Sequence, residues 1–396
     1  MSTSMRLVIP EDVLEIARTL EEAGHEAWCV GGALRDALLG HPHSDYDFAT
    51  SATPAEVTAL FRRTAPVGEK YGTVGVLDRQ RVLHEVTTFR HDVSTDGRHA
   101  VVAYGVSLDE DLARRDFTVN AIAYHPLRHE WRDPFGGRAD LERGLLRAVG
   151  RAEDRFREDY LRILRGIRFA ARFGFTIVPE TWDAAIEAAP GLAQLSAERV
   201  RDEWLKGLRT ARSVTDLVTR WIHVGAAARL IPELESVTDA WLAAAERVPA
   251  DERDPIFLTA LLLGDAPAML RRLRASNAEI ERAAAIARGP AEPAGADARA
   301  ARRWLAEVGP AADDLLRVYR LRRSADAPWS EEVARIRERR DPLERRDLAV
   351  TGADLQGLGA TGPRIGVVLA ALLEQVLDDP SLNRRETLLA LARELP

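Results

Sequence analysis

The chain has a single cysteine, Cys29, among its 396 residues. One thiol cannot make a disulfide framework within the chain, nor a thiolate metal site, which needs several sulfur ligands. No apolar run reaches the roughly 20 residues that a membrane-spanning helix requires. The opening stretch, MSTSMRLVIPEDVLEIARTL, is acidic and amphipathic and does not read as a signal peptide. A cytoplasmic protein with no membrane contact is expected. The chain also lacks internal repeats. Its net charge of -7 argues weakly against a nucleic-acid partner, but such binding depends on local patches rather than the total. With 46% hydrophobic and 30% charged residues the composition is globular, and the length exceeds one ordinary core.

The first 140 or so residues mix strand and helix patterns. Residues 11–24 read as an amphipathic helix ending at Gly24, and EAWCVGG as a buried strand running into a glycine turn. YGTVGVLD and RVLHEVTTFR, joined by the charged turn 78–81, carry the signature of a hairpin. FTVNAIAYHP reads as a further strand or a strand-to-helix transition. From about residue 150 onward the text is almost wholly helix-period, broken by Gly, Pro and short polar turns. GPAEPAGA, residues 289–296, is the best candidate for a flexible connection. The reading is an α+β head followed by a long all-helical part.

The chemistry concentrates in GGALRDALLGHPHSDYDFAT, residues 31–50. Side chains alternate along a strand, so Asp45 and Asp47 are expected on one face. Two such carboxylates suit Mg²⁺, a hard cation that takes oxygen ligands. Glu85, in LHEVTTFR, is placed to add a third carboxylate from a neighbouring strand, completing a site that activates an attacking hydroxyl and steadies a leaving phosphate oxygen. Asp-x-Asp by itself is common on solvated edges. Upstream, Gly31 and Gly32 let backbone N–H groups approach a polyphosphate, and Arg35 adds positive charge.

These residues do not stand alone. GGALRD…LLG…SDYDFAT, EDLARRDFTVNAIAY (110–124), DPFGGRADL (133–141), RFREDYLRILRGIRFAARFGF (155–175) and LSAERVRDEWLKGL (195–208) resemble, in order, five motifs of one family: the class II tRNA nucleotidyltransferases and poly(A) polymerases. LAVTGADLQGLGATGPRIGVVLAALLEQVLDD (348–379) resembles the tail of bacterial CCA-adding members. The resemblance implies a head with the polymerase-β-like nucleotidyltransferase fold over 1–147 and a helical neck over 148–212. It implies a helical body over 213–325 and a tail over 326–396, both binding tRNA. The implied reaction is attack of a tRNA 3′-hydroxyl on the α-phosphate of CTP or ATP with loss of pyrophosphate, dependent on Mg²⁺ and on no partner protein.

It further implies roles by position. Asp45 and Asp47 hold the metal, with Glu85 beside them. Arg115, Asp116 and Asn120 lie near the triphosphate and sugar, with Arg114 a lesser candidate. Asp36 orders Arg35, Asp133 organises the turn into the neck, and Glu198, Arg199 and Lys206 act as scaffold. Asp159 and Arg162 contact the incoming base. The physics of that pair is legible: a carboxylate only accepts hydrogen bonds and a guanidinium only donates. Cytosine and adenine each present an amino donor beside a ring-nitrogen acceptor. Uracil and guanine present a carbonyl and a ring N–H instead, and each mismatched buried group costs about 1–3 kcal/mol. Spaced three apart, the two residues are expected on one helix face. Arg165 and Arg168 continue that basic face, to touch triphosphate or RNA or to pair with Glu153, Asp154 and Glu158.

Arginine clusters at 271–274, 299–303 and 317–323 are read either as RNA-phosphate contacts or as solvated helix surface balanced by nearby acids. Of nine histidines only His223 lies beyond residue 129, so the metal-dependent phosphohydrolase domain appended in some relatives is not expected. The segment 90–107, expected to be flexible, has Ala100 where CCA-adding members usually have proline. Partial addition of CC or of A stays open beside full CCA addition, with poly(A) synthesis, an idle RNA-binding protein and a small-molecule nucleotidyltransferase further off.

Overall fold

The computed structural model describes residues 6–41, 46–67, 72–95, 100–323 and 325–395, with no side-chain description for 91–95 and 100–103. The chain divides into two compact units, Met1–Glu235 and Ser236–Pro396.

In the first unit, helix α1 (Glu11–Glu22) places Val13, Ile16, Ala17 and Leu20 on one buried stripe, with Glu11 and Asp12 favouring its first turn. Strand β1 (Ala27–Val30) follows, then α2 (Gly32–Leu38), β2 (Asp47–Thr50) and α3 (Pro54–Leu60). Helix α3 starts at a reciprocal capping box between Thr53 and Glu56, with Pro54 at its first position. Strands β3 (Thr64–Ala65), β4 (Thr73–Leu77) and β5 (Leu83–Thr88) come next, and β4 and β5 form the expected hairpin. After β6 (Arg90–Thr95), β7 (Ala100–Tyr104) and α4 (Leu108–Ala113), strands β8 (Ala123–His125) and β9 (Glu130–Arg132) complete the head.

Seven strands form one mixed sheet in the order β3-β4-β5-β2-β1-β8-β9. Cores cover both faces. Ala27, Cys29, Phe48 and Val86 join the α1 stripe on one side. Trp28, Val30 and Ala49 join Leu112 and Ala121 on the other. That double burial is why AWCV reads as an unbroken apolar run. Residues 90–107, read from sequence as one flexible segment, instead contain an antiparallel ribbon of β6 and β7. DGRH, residues 96–99, lies outside the described residues, and Ala100 is described in backbone only.

The rest of this unit is mostly helical: α5 (Gly137–Arg143), α6 (Ala152–Glu158), α7 (Leu161–Phe173), α8 (Pro179–Ala188) and α9 (Ala197–Thr210), with a two-stranded parallel pair between Leu145–Leu146 and Thr176–Ile177, then two further helices and a 3-10 turn up to Ser236. Gly137 permits a close approach that nothing larger could make, since a Cβ there would sit 2.1 Å from the Thr118 carbonyl oxygen. Just before it, Asp133 accepts the N–H groups of Gly137 and Arg138 at 2.7 and 3.0 Å, organising the turn as expected. Trp204 and Trp221 meet edge to face at 5.4 Å beneath α9.

The second unit is all helix among its described residues. One core gathers Trp304, Leu315, Trp329 and Ile336; another gathers Leu355, Val368, Leu372 and Leu388. The link at 289–296 is tied down rather than loose: Trp304 Nε1 donates to the Pro290 carbonyl at 2.7 Å, and Pro293 is buried. No helix among the described residues is long and apolar enough to cross a membrane.

Candidate active site

Register decides which strand residues share a face. Strands β2 and β5 run parallel with Phe48 opposite Val86, both in the α1-side core. The preceding residues, Asp47 and Glu85, therefore stand side by side on the opposite face. Asp47 is partly buried and Glu85 is exposed. Asp45, the other expected carboxylate, lies outside the described residues. Gly31, at φ 79°, ends β1 beside them, and a Cβ there would lie 3.2 Å from Asp47 Oδ2. A side chain at 31 would crowd the carboxylate, and the left-handed φ also favours glycine. Among the described residues no group of three or more His, Cys, Asp or Glu side chains is placed to hold a metal ion. Asp47 and Glu85 offer hard oxygen donors only, which is the chemistry a magnesium ion accepts.

Asp47 and Glu85 open onto a cleft of about 680 Å³ whose opposite wall is α7 with the ends of α6 and α9. All the glycines and side chains singled out at 31–35, 115–120 and 159–168 line it. A chain of hydrogen bonds, buried in its middle and partly exposed at both ends, links the two walls. Arg172 donates to Asp36 Oδ2 (2.9 Å), Asp36 Oδ1 accepts from Arg35 Nε (3.0 Å), and Arg35 Nη1 donates to Asn120 Oδ1 (2.6 Å). Asn120 Nδ2 donates to Asp116 Oδ1 (2.9 Å), and Arg165 Nε to Asp116 Oδ2 (2.8 Å).

Arg35 is 4% exposed, with its guanidinium 4.9 and 4.7 Å from the ring centres of Phe169 and Phe173. Burial draws its pKa down, and Asp36 works against that. For Asp116, burial alone would raise the carboxyl. The Arg165 guanidinium, with Asn120 and Arg162, outweighs it and holds the group at about 2. Asp111 is treated similarly. Burial pushes it up, and Arg115 and Arg114 bring it below the usual carboxylate range. Arg115 spends Nη2 on Asp111 and Nη1 on the Asn120 carbonyl, while its buried Nε has no partner among the described residues.

Asp159 and Arg162 are in the same cleft but do not share a helix. Asp159 sits in the break between α6 and α7 at φ -155°, and its Oδ1 accepts the Leu161 N–H at 3.0 Å. It lies just ahead of α7 and accepts that helix's first N–H instead of riding on it, as short polar residues do where a helix begins. An aspartate directly ahead of an apolar periodic run was the sequence signal for that. Its Oδ2 accepts from Arg199 at 2.6 Å. Arg162, inside α7, donates to Glu158 (2.6 Å) and to the carbonyls of Arg155 and Arg114 (3.1 and 3.0 Å). Arg168 pairs with Glu203 at 2.6 Å, not with the acids at 153–158.

From sequence Arg199 is expected only as scaffold, and Glu203, Arg172 and Arg90, which lines the cleft as well, carry no expected role. The placement of Glu203, Arg199 and Arg172 depends on contacts 35 to 136 residues apart that no local pattern shows.

Residues 27–147 match the family model described as the poly A polymerase head domain. Residues 174–237 match the one described as a probable RNA and SrmB-binding site of polymerase A. The chain is 36% identical over 398 residues to a CCA-adding enzyme of Geobacillus stearothermophilus, covering 96% of each. This chain belongs to the CCA-adding enzymes of the poly(A) polymerase family. A CCA-adding enzyme of Latilactobacillus sakei is likewise 36% identical, over 96% of this chain and 97% of its own. Among solved structures, a Bacillus stearothermophilus CCA-adding enzyme in complex with CTP matches with a TM-score of 0.84 and 33% identity, over 98% of each chain. The polymerase-type head and helical remainder expected from the motifs are thus those of the family.

Proposed function

We propose that this chain, as a CCA-adding enzyme, builds the 3′-terminal CCA of tRNA in the cytoplasm from CTP and ATP, without a nucleic-acid template, and that the cleft described above does the chemistry and chooses the base. One observation carries the assignment: two carboxylates on adjacent strands and a helical wall bearing an acid and an arginine, Asp159 and Arg162, line the same cleft.

The roles follow from what each group has left to offer. Asp45, Asp47 and Glu85 hold magnesium, which when bound makes the tRNA 3′-hydroxyl more acidic and neutralises phosphate charge. Gly31 and Gly32 leave room for the triphosphate beside Asp47. Arg115 turns its unpartnered Nε toward that triphosphate, a charge-assisted donor already fixed by Asp111 and Asn120. Asn120 and Asp116, fixed by Arg35 and Arg165, bind the sugar.

Asp159 keeps a second lone pair on each carboxylate oxygen for the amino group of cytosine or adenine. Arg162 commits both hydrogens of Nη1 and one of Nη2, which leaves Nε–H and one Nη2–H for the ring nitrogen. Arg199 holds the Asp159 carboxylate in place. Uracil and guanine would set acceptor against acceptor and donor against donor at both positions.

The test is incubation with Mg²⁺, each labelled nucleoside triphosphate, and tRNAs ending at the discriminator base, at C and at CC. Full CCA addition extends the first two with CTP and the third with one A from ATP. Incorporation of C alone or A alone assigns a partial enzyme, runs of A a poly(A) polymerase, and no label at all overturns the proposal.

A further inference from the structure

His84 is a buried histidine to which the roles above give nothing to do. It precedes Glu85 on β5 and is 1% exposed. Strand alternation points Glu85 into the cleft and His84 to the other face, toward the α1-side core. There its Nδ1 lies 3.1 Å from the main-chain oxygen of Tyr46. A carbonyl oxygen can only accept, so Nδ1 donates. The other ring nitrogen, Nε2, lies 3.3 Å from Asp78 Oδ2 in the β4–β5 turn. Asp78 is itself fixed, because its Oδ1 accepts the Val82 N–H at 2.7 Å.

The place where this donor lands is informative. Tyr46 is the residue between Asp45 and Asp47. The pairing of β2 with β1 ends at Asp47, opposite Val30, and its pairing with β5 ends at Phe48, opposite Val86. The Tyr46 carbonyl thus lies just past the last paired residue on both sides of the strand. There an imidazole from the neighbouring strand donates a hydrogen bond to it.

We propose that His84 is a positioning residue for nucleotidyl transfer: by holding the Tyr46 main chain it fixes the start of β2, and so the Asp47 carboxylate that meets the metal. The inference rests on the reading that Asp45, Asp47 and Glu85 hold magnesium. Groups that orient metal ligands from behind commonly change metal affinity and activity about 10–100-fold when removed. A histidine that merely fills the core would not.

The experiment uses the full chain and three substitutions. His84→Leu keeps apolar bulk and loses the donor. His84→Asn places an amide N–H near the Nδ1 position, and His84→Gln places it near Nε2, toward Asp78. Mn²⁺ binding is measured by electron paramagnetic resonance with CTP and no tRNA. In parallel, kcat and KM for CTP are measured on tRNA ending at the discriminator base. His84→Leu and His84→Gln are expected to lower kcat and weaken Mn²⁺ binding by about tenfold each, with KM for CTP within about twofold. His84→Asn is expected to recover most of both losses. If His84→Leu does not fold, the Asn and Gln variants decide. Equal behaviour of those two overturns the proposal, as does a His84→Leu enzyme with unchanged kcat and Mn²⁺ affinity. Asp47→Ala serves as the separate control: Mn²⁺ affinity unchanged there overturns the metal reading itself, and the positioning role with it.

Discussion

On the sheet side of the cleft, Asp47 and Glu85 take their places from strand alternation and one parallel register. On the helical side, Asp159 is held by Arg199, 40 residues on, and Arg165 holds Asp116 from 49 residues away. The first arrangement needs only that the sheet form. The second is a set of ion pairs in which each member is another's partner, so removing one leaves a charge unmatched where water is scarce. The two sides should therefore fail differently. A sheet-side variant should lose chemistry and keep its fold, while a helical-side variant should lose discrimination or stability before it loses chemistry.

The largest effect expected is on the sheet side. Asp47→Ala should cut the rate of C addition by about 10²- to 10³-fold while the thermal midpoint stays nearly where it was, as single-turnover kinetics and calorimetry would show. A comparable fall in stability would erase the distinction between the walls. Next comes Arg199→Ala. It frees the Asp159 carboxylate, and the preference for CTP over UTP should drop about tenfold with kcat for CTP less affected.

Arg165→Ala should destabilise the first unit by about 2 kcal/mol, because Asp116 is left buried with only Asn120 and a backbone N–H. The sign of its pH dependence is fixed by direction. Asp116 is held at about 2, below the ordinary carboxylate value of about 3.9. The stability it contributes is fully present above about pH 4 and is lost as pH falls through about 2. Acid titration of Arg165→Ala should show a flatter loss of stability across that window than the wild type.

The smallest effect expected is in the second unit. Arg299 donates two hydrogen bonds to Asp378, both at 2.7 Å, and Arg303 reaches Asp378 and Glu374. Arg302 is 6% exposed and spends its donors on the carbonyls of Leu377 and Asp378 and on Asp341. This cluster is internal bracing, so Arg299→Ala should leave the salt dependence of tRNA binding nearly unchanged. A drop of about one in the salt slope would assign Arg299 to the RNA instead.

Legibility in the sequence follows the same divide. The hairpin at 73–88, the strand at 27–30 and the helical text after 150 were readable because period 2 and period 3.6 are local signals. Period 2 also tells which side of each strand Asp47 and Glu85 take, whereas the parallel register that makes them neighbours is not a local signal. The break at Asp159 is not legible from spacing, because residues three apart share a helix face only inside one helix and this aspartate marks where the helix begins. Arg35 looked like a phosphate ligand by its place after two glycines. Its burial between Phe169 and Phe173 comes from α7, more than 130 residues away, and no motif-level pattern carries that. The arginine clusters of the second unit left two readings open because the acids that match them, such as Asp378, lie some 75 residues downstream.

The claim on which the rest depends is that Asp159, in partnership with Arg162, selects the base. It is tested most directly by kcat/KM for CTP and for UTP with wild type and Asp159→Ala, on one tRNA ending at the discriminator base. The wild type should refuse UTP, and the variant's CTP-to-UTP ratio should fall by about tenfold to a hundredfold. An Asp159→Ala enzyme that discriminates as sharply as the wild type would contradict the account.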